Sequence, residues 1–143
     1  MFSLDEYVGD YAEHPDWTPE REGNAVKLMV ACSSLEKDLI ALGVKFQINP
    51  KTRTQISGEG HGGFRTQDCP IGAKHSNHKE GKAVDRYDPD GKIDVWIMGH
   101  QELLVKHGIY IEHPNYTNGW SHWGIKLTPD DAPKSGAHVY IPK

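Results

Sequence analysis

Cysteine is scarce in this chain. Cys32 and Cys69 are the two present among 143 residues, and they lie far apart. That excludes a disulfide framework and the clustered cysteines of typical structural zinc sites. Cys69, in a loop before Pro70, has no cysteine neighbour with which to share a metal. Long apolar runs are missing too, so no segment reads as membrane-spanning. The first eleven residues, MFSLDEYVGDY, carry neither a basic n-region nor an apolar h-region, and no Sec-type signal is expected there. Charge of one sign is not in excess: 16 basic and 20 acidic residues give a net charge of -4. Such a balance provides no global attraction to nucleic acid. Internal repeats, low-complexity tracts and linkers are absent as well.

What is present suits one domain over residues 1–143, long enough for a sizeable core. Hydrophobic residues make up 36% of the chain, and 15 glycines and 9 prolines imply many turns and loops. Ser3 and Glu6 form a capping box for a short helix near residues 4–12, which His14-Pro15 ends. Thr18 offers an N-cap, Pro19 a first helical position, and Glu20 and Glu22 an acidic first turn. Leu28, Cys32, Leu35, Leu39 and Leu42 then recur at helical spacing up to the stop at Gly43. Cys32 reads there as a small core residue.

Beyond this scaffold helix the chain reads as short strands and loops. Residues 44–49 and 55–57 are candidate strands about a Pro50 turn. Residues 58–75 form a glycine-rich loop, but no Gly-Lys-Ser/Thr follows, so it is not a phosphate-binding loop. Asp88-Pro89-Asp90-Gly91 is a turn signature. Residues 93–107 suit a second helix stopped by Gly108, and 109–112, 121–127 and 138–141 suit strands. The expected fold class is α+β, with a small, mainly antiparallel sheet packed on helices.

Three residues carry the chemistry. His78 and Asp85 stand seven apart in Ser76-Asn77-His78-Lys79-Glu80-Gly81-Lys82-Ala83-Val84-Asp85, and His122 follows in Gly119-Trp120-Ser121-His122-Trp123. A turn at Gly81 can bring His78 back over Asp85, with His122 on an adjacent strand. Two imidazoles and one carboxylate suit a catalytic zinc with its fourth position left to water. The competing explanation is a hydrogen-bonded structural trio, since nine histidines make a His near an Asp unremarkable. His14, His61, His100, His107 and His138 are given no role, and His75 and His113 merely flank motif residues. Trp120 and Trp123 are read as core.

The segment fits Ser-x-His-x-x-Gly-x-Ala-x-Asp. With the later Trp-x-His, it resembles the zinc D-alanyl-D-alanine peptidase family: VanX-type dipeptidases, D,D-carboxypeptidases and phage L-alanyl-D-glutamate endolysins, whose fold the Hedgehog signalling domain shares. The likeness spans about residues 18–142 and is nearest to small phage-encoded members. It implies a Hedgehog-like fold, Zn2+ held by His78, Asp85 and His122, and hydrolysis of an amide bond in the peptide stem of peptidoglycan. It also implies that Arg65, in Gly63-Phe64-Arg65, holds a substrate carboxylate or carbonyl through its planar fork. Ser76 would support the same region by hydrogen bonding.

Many members carry a glutamate three residues before the last histidine ligand, where this chain has Gly119. The nearest upstream carboxylate, Glu112, is therefore expected to serve as general base and acid. The resemblance implies a monomer that engages neither nucleic acid nor membrane, residing in the host cytoplasm before release to the wall. Two other settings fit the same residues: a virion-associated wall-degrading component, and a non-catalytic zinc-containing binding module.

Overall fold

Thr18 starts the longest helix as the sequence predicts. Its hydroxyl accepts from the Arg21 N–H at 3.3 Å, and α2 runs over Pro19–Ala41 with Pro19 in its first turn. In this computed structural model, residues 1–126 and 138–142 are described. Leu28, Cys32, Leu35 and Leu39 of α2 are fully buried. Leu42 falls at the C-cap and is exposed, so the stripe ends one turn early. Before it, α1 (Leu4–Val8) opens on the expected Ser3/Glu6 capping box, and Gly9–Tyr11 tightens into a 3₁₀ turn.

Two sequence expectations fail for local reasons. Residues 44–49 and 55–57 do not form strands; they make only the isolated bridges Asn49–Thr54 and Ile56–Arg86. Asn49 uses its side chain where a ladder would form: its amide donates to the Ile56 and Gly58 carbonyls at 3.0 and 2.9 Å. Arg53 adopts φ 59 in the intervening turn, a conformation that breaks extended pairing. The helix expected over 93–107 is two helices, α3 (Lys92–Met98) and α4 (Glu102–His107), divided at the Gly99 C-cap.

The sheet comprises β1 (Ala83–Tyr87), β2 (Tyr110–Glu112), β3 (Trp120–Gly124) and β4 (Val139–Tyr140), in the spatial order β1-β3-β2-β4. β3 pairs antiparallel with both β1 and β2, and β4 lies parallel to β2. The fold is thus α+β with a four-stranded, mostly antiparallel mixed sheet and helices packed against it. The expected strand residue 127 lies outside the described residues. The free edge of β1 is covered by the preceding loop: Ser57 N–H donates to Asp85 O at 2.8 Å, and Asp85 N–H to Gly62 O at 2.7 Å.

Strand alternation divides the sheet into two faces. Val84, Trp123 and Ile111 point into one hydrophobic cluster with the α2 stripe, Ile93 and Ile97 of α3, and Leu104 of α4. Arg86 shares that face and is fully buried, with its guanidinium 3.2 Å from Glu36 of α2 and 4.7 Å from the Trp123 ring centroid. An ion pair and aromatic faces together offset the cost of burying that cation. The opposite face carries Asp85, His122, Glu112 and Tyr140.

Helix α3 is fastened to β3 by carboxylates. Asp88 accepts from the N–H groups of Ile93 and Asp94 at 3.0 and 3.2 Å, satisfying its first turn. Asp94 accepts from Ser121 at 2.5 Å and Thr117 at 2.8 Å, and Ser121 Oγ accepts from Trp123 Nε1 at 2.8 Å. Burial, opposed by those hydrogen bonds, pushes the Asp94 carboxyl up to about 6. An unfolded aspartate titrates near 3.9, so the folded chain holds the extra proton between about pH 4 and 6. The corresponding stability is full below that window and is lost as pH rises through it. Asp94→Asn should therefore flatten the decline in urea midpoint between about pH 4 and 6.5. An unaltered slope would assign that decline to other groups.

Candidate metal centre

Each member of the trio is set by its local chain. His78 sits in a 3₁₀ turn, Asn77–Glu80, capped by Ser76, whose hydroxyl accepts from His78 N–H at 3.2 Å. Gly81 ends the turn at φ 72, and a Cβ there would stand 2.5 Å from Arg21 O. Only glycine suits both the left-handed backbone and this approach to α2. Asp85 and His122 are direct cross-strand partners on β1 and β3, so their side chains share one face.

The distances close the group. Asp85 Oδ1 is 2.9 Å from His122 Nδ1 and 3.2 Å from His78 Nε2. His78, Asp85 and His122 are 2%, 9% and 7% exposed. Their potential ligand atoms lie within 4.8 Å of one another, the spacing of a group that could hold a metal ion.

The protonation of His78 and Asp85 fits a cation. His78 Nδ1 is 2.8 Å from the carbonyl of Gly63; a carbonyl only accepts, so Nδ1 carries the proton and Nε2 presents a lone pair toward Asp85. Burial lowers the His78 pKa and keeps that ring neutral, although the Asp85 charge opposes it. Burial acts to raise the Asp85 carboxyl, but the imidazoles outweigh it and hold the group below the ordinary carboxylate range. For His122 burial also opposes charging, yet its hydrogen bond to the Asp85 carboxylate and the charge of that group prevail and its pKa rises. Two lone-pair atoms facing each other at 3.2 Å, His78 Nε2 and Asp85 Oδ1, could both turn to a positive ion between them. A donor set of two nitrogens and one oxygen suits a first-row transition metal or zinc better than calcium or magnesium, which favour oxygen.

Gly63 supplies more than its carbonyl. A Cβ there would lie 2.2 Å from Tyr7 O, so the glycine-rich loop passes hard against α1 on its way to the site. Tyr7 in turn donates its hydroxyl to Ala83 O at 2.8 Å, tying α1 to the start of β1.

Arg65 comes to the trio, with its fork aimed at protein atoms. Nη2 donates to Asp85 Oδ2 at 3.1 Å, Nε to His61 O at 2.7 Å and Nη1 to Ile71 O at 3.3 Å. Glu112 comes too. The antiparallel register of β2 and β3, continued by one residue, sets it opposite His122, and its Oε1 is 3.8 Å from His122 Nδ1. A cavity of about 330 Å³ opens onto the group. Arg65, Ser76, Glu112, Trp120 and Tyr140 contribute to its walls.

The two tryptophans part company: Trp123 is fully buried in the core as expected, whereas Trp120 lines the cavity. Cys69 stands apart from the trio, its Sγ 3.8 Å from His61 Nδ1. His113 turns its Nδ1 to the Asn115 N–H, and His75 is exposed. Sequence reasoning missed Tyr140 and the Asp94–Ser121 link. The alternation around Trp-x-His could have pointed Ser121 inward, but nothing local announces which residue of the last strand meets Glu112. Comparison with protein-family models, with curated proteins and with solved structures finds no match to this chain.

Proposed function

We propose that this chain is a zinc-dependent peptidase that hydrolyses an amide bond in the peptide stem of peptidoglycan. The observation that carries the reading is the buried His78–Asp85–His122 group with Glu112 beside it, all facing one cavity. The choice of wall peptide as substrate rests on the resemblance of the His/Asp and Trp-x-His motifs to the D-alanyl-D-alanine peptidase family.

His78, Asp85 and His122 would hold the ion. Zinc, when bound, supplies Lewis-acid polarisation of a carbonyl and makes water nucleophilic near neutral pH. Glu112 takes the proton from the attacking water and delivers it to the leaving amine. Arg65 orients the Asp85 carboxylate through Nη2, and in this reading its planar fork, at the cavity wall, would also hold a substrate carboxylate. No helix among the described residues is long and apolar enough to cross a membrane.

Mass spectrometry of muropeptides after digestion of purified wall with the zinc-loaded protein tests the reading. Shortened stems with a new amine and a new carboxylate are expected, and the mass lost identifies the bond. Intact stems from a zinc-loaded, folded protein would sink the peptidase reading and leave a zinc-containing binding module.

A further inference from the structure

A tyrosine completes the row of side chains across the sheet. β4 lies parallel to β2 with Tyr140 in register with Glu112, so the two side chains leave the same face. Asp85 pairs with His122, His122 stands opposite Glu112, and Glu112 pairs with Tyr140. Each of the four strands thus contributes one residue to a single line. Neighbouring strands are about 4.8 Å apart, and a tyrosine side chain spans more than one such interval. Its ring stands edge-on to His122, with centroids 6.2 Å apart at 86°. The residue is 7% exposed and lines the same cavity.

Hydrolysis of an amide places negative charge on the carbonyl oxygen in the transition state, and a preorganised donor aimed there lowers the barrier. Arg65, which donates to three protein oxygens, is assigned above to the substrate carboxylate rather than to the scissile carbonyl. Ser76 and Tyr140 are the hydroxyl-bearing residues among the described cavity lining; Ser76 lies beside His78, whose N–H its Oγ accepts, whereas Tyr140 lies in the row beside Glu112. Tyr110, on the same face of β2, stacks on His138 at 4.0 Å.

We propose that Tyr140 is a further catalytic residue, whose phenol donates a hydrogen bond to the scissile carbonyl oxygen as it acquires charge. The assignment rests on the peptidase reading above. The phenol keeps its proton throughout; the proton of the attacking water goes to the leaving amine through Glu112.

Tyr140→Phe retains the ring against His122 and removes only the donor. With the wall peptide that the wild type cleaves, kcat should fall about 10²-fold, in the range for loss of one oxyanion donor, with KM little changed. Calorimetry should show a similar loss of affinity for the phosphinate isostere of that peptide. Affinity for the product peptide and zinc content should match wild type. An equally active variant, or one that binds phosphinate as tightly as wild type, would overturn the assignment while leaving the peptidase reading intact. A zinc-loaded wild type that cleaves no wall peptide would overturn both.

Discussion

His78→Ala and His122→Ala should each purify without metal, and the wild type should carry close to one zinc per chain. Each substitution leaves two protein ligands where zinc sites of this kind use three. The loss should be visible by elemental analysis, and it should extend to stability. A ligand bound only by the folded chain stabilises it by about 4 kcal/mol when its free concentration is 1,000 times its dissociation constant. Chelator should therefore lower the thermal midpoint of the wild type and leave that of either variant unmoved. His78 is 2% exposed and its ring is hydrogen-bonded to Gly63, so His78→Ala also leaves a carbonyl without its partner and a cavity. His122→Ala, on a paired strand, is the cleaner comparison. Full metal content in both variants would remove the trio from the metal site.

Glu112→Gln should reduce hydrolysis by about 10²–10⁴-fold, the usual contribution of general acid–base catalysis. The amide keeps the size and shape of the carboxylate but cannot take a proton from water. Glu112 Oε1 stands 3.8 Å from His122 Nδ1 and is not one of the three grouped ligands, so zinc content and fold should be those of the wild type. A variant within a few-fold of wild-type rate would move the base elsewhere, and His113, adjacent in sequence and carrying an imidazole that can accept a proton, would be tested next. Together the two experiments separate holding the ion from moving the proton.

The role given to Glu112 shows where sequence reading was sufficient and where it was not. The position three before His122 is Gly119, at φ 93 just before β3, so a glutamate there would meet an unfavourable backbone. A carboxylate ten residues upstream becomes adjacent because β2 and β3 are antiparallel neighbours, and the turn between them returns the chain. Counting along the chain suggested Glu112 only by elimination; cross-strand pairing gives it a position. Arg65 illustrates the reverse. The family resemblance implied a place for it beside the trio, but its engagement with Asp85, His61 and Ile71 depends on how the loop folds back.

What the amino-acid order determined by itself was local. The Ser3/Glu6 box, the Thr18 cap, the α2 stripe and the Gly81 turn involve residues a few positions apart, whose interactions persist whatever the rest of the chain does. The His78–Asp85 spacing belongs to this class, because one turn and one short strand span it. Tertiary structure alone decided the parallel docking of β4 and the line from Asp85 to Tyr140. These depend on register between strands distant in sequence, where a shift of one residue turns every side chain to the opposite face. Such a choice is made by burial of Val84, Trp123 and Ile111 on the core side, and the site on the other side follows from it.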